Sequence, residues 1–138
     1  MVDVSDGSHR QDRDDVTEAL RSAGARFAFV FGSVVEGRAQ PHSDLDVAAW
    51  WGPAGGSSTA PDVWDVVVPP GIDLLVLDRA PLELAGRVAL RGELLFEDDP
   101  VARVRWQADT RRIYFDEEDR QRRSTGSRST QLSLIVLM

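Results

Sequence analysis

The 138 residues predict an α/β domain, of the α+β kind, in which helices pack on one mixed β-sheet. Short apolar or β-branched runs recur along the chain, segments with helical spacing separate them, and no stretch repeats at a fixed period. The elements follow in order. "DRDDVTEALRSAG" places Val16, Ala19, Leu20 and Ala23 at i, i+3, i+4 and i+7, crowds acids into its first turn and ends on Gly24, which predicts a helix. "RFAFVF" has the aromatic and β-branched content of a short buried strand. It breaks at Gly32-Ser33, after which "SVVEGR" has room for about two helical turns before "AQPHS" turns to loop.

"DLDVAAWW" is a second strand, and "GPAGGSSTAP" a turn or loop. "PDVWDVVVPPG" suits a short helix or an edge strand equally. "IDLLVLD" is a third strand. "APLELAGRVALRG" is a helix with Pro81 near its start and Gly92 beyond its end. "ELLFEDD" is a fourth strand, and Asp99-Pro100 opens a long helix through "DEEDRQRR". The organisation expected is a disordered N-terminus over 1–11, a domain over 12–123 and a C-terminal tail over 124–138, whose polar "STGSRST" precedes an apolar "LSLIVLM".

Composition narrows the function. No apolar run approaches the roughly 20 residues that span a bilayer, and the acidic, polar start is not that of a signal peptide. Cysteine is absent, which excludes disulfides and thiolate metal sites and suits the cytoplasm. A net charge of −7 argues against a protein that coats nucleic acid. The charge is uneven: through Asp99, 18 acids face 8 arginines, a balance of −10, and from Pro100 onward 5 acids face 8 arginines, a balance of +3. All sixteen basic residues are arginine. Without lysine, neither a P-loop nor a Schiff-base enzyme is possible, and any side-chain cation meeting phosphate must be arginine.

The chemistry concentrates in "FGSVVEGRAQPHSDLDV". Asp44 and Asp46, at i and i+2 of a strand, leave the same face with Cα atoms roughly 7 Å apart. Two carboxylates so placed raise each other's pKa unless a cation lies between them. Their oxygens favour a hard ion, Mg²⁺ or Mn²⁺, and a pair of such ions can clamp the two oxygens of a phosphoryl displacement. Gly32 lets backbone approach an anion, and Ser33 stands in a first helical turn whose free N–H groups favour phosphate. Asp73 sits among Ile72, Leu74, Leu75, Val76 and Leu77, where a buried carboxylate without a partner is costly. Beside Asp44 to Val47 it would complete a metal cage or act as general base. Taken singly, a D-x-D is more often a solvated strand end and a G-S a turn.

At these residues the sequence resembles the minimal nucleotidyltransferases of the DNA polymerase β-like superfamily. Their signature is G-S, ten residues, then D-x-D, and here Gly32-Ser33 is followed by Val34 to Ser43 and then Asp44-Leu45-Asp46. "FVFGS", Gly37, "SDLDVA", "IDLLVL" and "RGELLFEDD" follow the wider pattern, over about Asp14 to Tyr114. The resemblance implies the polymerase β-like palm and Mg²⁺-dependent transfer of a nucleoside monophosphate, by family default AMP from ATP, to a hydroxyl. Gly32 and Ser33 would bind the triphosphate; Asp44, Asp46 and Asp73 would be catalytic and hold two metal ions. Proteins of this size resemble the antitoxin of HEPN–MNT toxin–antitoxin pairs, which adds AMP to a tyrosine of the HEPN ribonuclease toxin. That implies a cytoplasmic hetero-oligomer with the toxin and no direct role with nucleic acid or membrane. The family often carries arginines after its serine, where this chain has "GSVVEG"; Arg38 or an arginine of the last helix is expected to compensate.

Two other enzyme classes fit poorly. A dehalogenase-type phosphatase has its apolar strand before D-x-D, whereas polar "AQPHS" precedes it here, and needs a lysine. An aminoglycoside nucleotidyltransferase generally adds a helical domain, for which little chain remains after Pro100. The remaining rival is an antitoxin that neutralises by binding alone, with Trp50, Trp51, Trp64 and Trp106 as possible anchors, although core positions suit most of these. His42 reads as a solvated loop residue, and "DEEDRQRR" as a salt-bridged helix face.

Overall fold

Phe27–Phe31 forms the strand β1, and its alternation of large aromatic side chains with Ala28 and Val30 gives it two buried faces. It therefore lies inside the sheet. In this computed structural model, which describes residues 4–32, 45–54, 57–58 and 60–127, β1 pairs antiparallel with β2 (Leu45–Trp50) on one side and β6 (Glu93–Glu97) on the other. β2 pairs in turn with β5 (Ile72–Val76), in parallel, so the strand order is β5-β2-β1-β6. Between β2 and β5, Pro53–Ala54 (β3) and Ser57–Ser58 (β4) form a two-stranded ladder within the expected loop. The ambiguous stretch after it is neither full helix nor strand: Val63–Asp65 makes one 3₁₀ turn.

Each face of the sheet is covered by helix. α1 (Val4–Ser22) places Val16 and Leu20 on the face built from Ala28, Val30, Leu45, Val47, Ala49 and Phe96. The opposite face gathers Phe27, Phe29, Ala48, Leu75 and Trp50 under Val88 of α2 (Leu82–Arg91) and Trp106 of α3 (Pro100–Ser127). Phe27 stacks on Trp50 at 5.1 Å and meets Trp106 at 5.6 Å between ring centres. Both faces bury their even or odd residues by the period-two rule, so the strand pattern alone decides which side chains meet which helix.

α2 and α3 cross closely at Gly86, where a Cβ would sit 2.8 Å from Cε1 of Tyr114, so that any side chain there forces the ring or the helices to shift. α3 grips α2 a second time through the Ala89 carbonyl, which accepts from Gln107 Nε2 at 2.9 Å and from Arg111 Nε at 2.8 Å.

Helix boundaries extend past the apolar periodicity at both ends of the chain. α1 begins at Val4, inside the segment expected to be disordered, and α3 continues to Ser127, into the expected tail. Once a helix is nucleated by packing, each added residue gains a backbone hydrogen bond without any apolar contact, so polar flanks propagate it. Ser33, Asp44, Arg38, His42, the short helix expected from "SVVEGR" and the apolar "LSLIVLM" lie outside the described residues. Of the tryptophans, Trp51 is buried, Trp50 and Trp106 are half-buried, and Trp64, at 78% exposure, is the exception to the core reading.

Candidate active site

Strand register brings the sequence-distant candidates together. Phe31, the residue before Gly32, lies opposite Asp46 across the β1–β2 ladder, and Asp46 lies opposite Asp73 across the β2–β5 ladder. Asp46 shares its face with Ala48, and Asp73 shares its face with Leu75; both belong to the α2/α3 side. Adjacent residues on paired strands sit about 4.8 Å apart, so these two carboxylates are lateral neighbours. They stand at the end of the sheet where β1 leaves and β2 and β5 enter.

Gly32 closes this corner. Its φ of +84° is one that side-chain-bearing residues rarely adopt, and a Cβ there would lie 3.2 Å from Asp46 Cγ and overlap the carboxylate oxygen Oδ2. Backbone thus packs directly against a half-buried carboxylate. Asp73 is exposed.

Two carboxylates side by side, donors of oxygen alone, fit a hard divalent cation rather than zinc. Among the described residues no cluster of three such ligands forms; the third candidate, Asp44, is outside them. Asp46 and Asp73 would hold the cation.

A cavity of about 650 Å³ opens beside Gly32, within the size range of small-molecule sites. Its floor is Phe31 and Gly32; α2 contributes Leu84, Arg87 and Arg91, and α3 contributes Tyr114, Phe115 and Glu118. The Tyr114 hydroxyl has its pKa raised above the ordinary 10, first by desolvation and then by the charge and hydrogen bond of Glu118. Tyr114, the chain's one tyrosine, and the two arginines were not singled out by sequence reasoning, which looked instead to Arg38 or the last helix. Several last-helix arginines are bound within the protein: Arg103 to Glu97 at 2.6 Å, Arg111 to the Ala89 carbonyl, and Arg123 to Asp119 at 2.7 Å. The i, i+4 spacing of Arg87 and Arg91 was the available signal; what it lacked was a reason to bring that helix face to the cavity beside Gly32.

Residues 15–101, well over half the chain, match the family model described as "Polymerase beta, Nucleotidyltransferase". The chain belongs to this nucleotidyltransferase family. The match takes in Gly32, Asp46 and Asp73 and both α2 arginines. Solved structures agree on the nucleotidyltransferase fold. A chain of a toxin–antitoxin complex with AMP-PNP superposes with a TM-score of 0.66 at 18% identity, over 86% of this chain and 98% of the other. A chain of the MntA–HepT toxin–antitoxin gives 0.62 at 16% identity, over 88% and 99%. A third structure, of tri-AMPylated Shewanella oneidensis HEPN toxin with MNT antitoxin, gives 0.62 at 16%, over 88% and 98%. No curated protein matches the sequence. Among the described residues no helix is long and apolar enough to cross a membrane.

Proposed function

We propose that this nucleotidyltransferase is the cytoplasmic antitoxin of a toxin–antitoxin pair, that it forms a hetero-oligomer with a HEPN toxin, and that it transfers AMP from ATP to a tyrosine hydroxyl of that toxin. The observation that carries the proposal is the lateral pairing of Asp46 with Asp73, Asp46 packing against Gly32, a residue that also lines the cavity. Supporting it are the family match and the neighbours' AMP-PNP complex and AMPylated HEPN toxin.

In the reaction the acceptor hydroxyl oxygen bonds to the α-phosphorus, the bond from that phosphorus to the bridging oxygen of the β-phosphate breaks, and pyrophosphate leaves. The hydroxyl proton passes to a nearby carboxylate, a role that the exposure of Asp73 beside Asp46 supports. Asp44, Asp46 and Asp73 would hold two Mg²⁺ ions, with Mn²⁺ an equivalent choice. When bound, such ions neutralise developing charge on the attacking and leaving oxygens. Gly32 and Ser33 would seat the triphosphate through backbone N–H groups, the glycine because any Cβ there would strike Asp46. The working unit is the 12–123 domain.

The test is incubation with Mg²⁺, ATP and the HEPN protein encoded beside it, followed by mass spectrometry of that protein. A gain of AMP on a tyrosine, lost with Asp46→Asn and with Asp73→Asn, is expected. A second reading draws on the exposed Trp64 and Val67, 78% and 87% accessible, which suit an antitoxin that blocks its toxin by contact alone. If Asp44→Ala with Asp46→Ala neutralises the toxin as well as the native chain, that reading replaces the first.

A further inference from the structure

The cation for the nucleotide's phosphates has an unexpected source, an inference that rests on nucleotidyl transfer at this site. A triphosphate brought to three carboxylates meets like charge, and the chain has no lysine to offset it. Directly after Ser33 the sequence supplies Val34, Val35 and Glu36, an acid and no base. The cavity that Gly32 lines is, however, also lined by two arginines, Arg87 and Arg91. Four residues apart on α2, they share one helix face.

Their helix is held firmly. The Ala89 carbonyl, between them in sequence, accepts from both Gln107 and Arg111 of α3, and Gly86 seats the Tyr114 ring. Arg87 itself pairs with Glu83 at 3.3 Å, but both side chains are largely exposed, and an exposed i, i+4 pair is weak enough to yield to phosphate. The opposite wall carries Glu118, which engages Tyr114. Guanidinium forks bind phosphate oxygens in bidentate fashion, better than any other cation this chain could offer.

We propose that Arg87 and Arg91 bind the β- and γ-phosphates of the nucleotide donor. They replace the cation that "GSVVEG" omits, and they keep hold of pyrophosphate as the α-phosphorus bond breaks.

Isothermal titration of the full chain with ATP, AMP and pyrophosphate in Mg²⁺ tests this. In the Arg87→Gln/Arg91→Gln double variant, ATP and pyrophosphate are expected to bind about tenfold or more weakly, since two charge-assisted contacts are lost. AMP, which lacks both outer phosphates, should change less than twofold, and Arg87→Lys/Arg91→Lys should recover part of the loss. Because both side chains are exposed, each single glutamine variant reads the same ATP-to-AMP ratio should the double variant fold poorly. Unchanged ATP affinity in a folded double variant, or equal weakening of ATP and AMP, overturns the arginine role while leaving the transfer reaction standing. A native chain that binds no nucleoside triphosphate removes the reaction and this role together.

Discussion

The two ends of the central sheet treat their aspartates differently. At one end Asp46 and Asp73 lie side by side against Gly32, with Asp73 open to solvent. At the other end acids hold structure. Asp78 accepts from the backbone N–H groups of Trp51 at 3.0 Å and Gly52 at 2.7 Å, fixing the exit of β2. Asp98 takes Arg21 at 3.0 Å, and Asp99 caps α3 through the Ala102 N–H at 3.0 Å. Each end also has a cavity on the α2/α3 side. The far one, about 410 Å³, is lined by Trp50, Trp106 and Thr110 and by Arg26, which meets Asp99 at 3.6 Å. The contrast separates acids that close turns, caps and ion pairs from two acids set side by side at a glycine corner.

Breaking the far end should cost stability most. Trp51 is buried and donates its indole N–H to the Ala23 carbonyl at 2.9 Å, so Trp51→Ala is expected to destabilise by about 3–5 kcal/mol in urea unfolding. At the near end, Asp46→Asn should reduce nucleotidyl transfer about 100-fold or more, about 2.7 kcal/mol in barrier, with the urea midpoint little changed. Asp78→Ala sharpens the contrast: it should lose roughly 1–3 kcal/mol of stability, by stranding two N–H groups, while turnover per folded molecule stays near native. Equal effects of Asp46→Asn and Asp78→Ala on transfer would erase the distinction between the ends.

Gly86→Ala is a test of the α2–α3 crossing that shapes the near cavity. Alanine normally favours a helix by up to about 1 kcal/mol, yet here the new methyl strikes the Tyr114 ring, and a net loss of about 1–2 kcal/mol is expected. The smallest effect is electrostatic. Because Tyr114 is the one tyrosine, its ultraviolet titration is unambiguous and should have a midpoint above 10, moving down in Glu118→Gln. The sign for stability follows: above pH 10 the unfolded chain releases this proton first, so its contribution to folding falls as pH rises.

Much of the fold was legible along the chain. "RFAFVF", "DLDVAAWW", "IDLLVLD" and "ELLFEDD" each contain the strand observed, and Pro81 and Gly92 bracket α2 as expected. The fold is that of a family which 15–101 match, as the resemblance carried by Gly32-Ser33 and Asp44-Leu45-Asp46 implied. Burial and periodicity are local properties, and a strand's apolar content can be read without knowing its neighbours.

What the linear chain determined was therefore the type and order of the elements, their alternating faces, the absence of lysine and the identity of the candidate acids. Tertiary structure decided which acids share a corner. The parallel register of β5 on β2 sets Asp73 beside Asp46, and a slip of one residue would have sent it to the α1 face. It likewise brought Arg87 and Arg91 to the cavity that Gly32 lines, because the helix face an arginine occupies is periodic, whereas the direction in which that face looks depends on how α2 settles against α3 and β1.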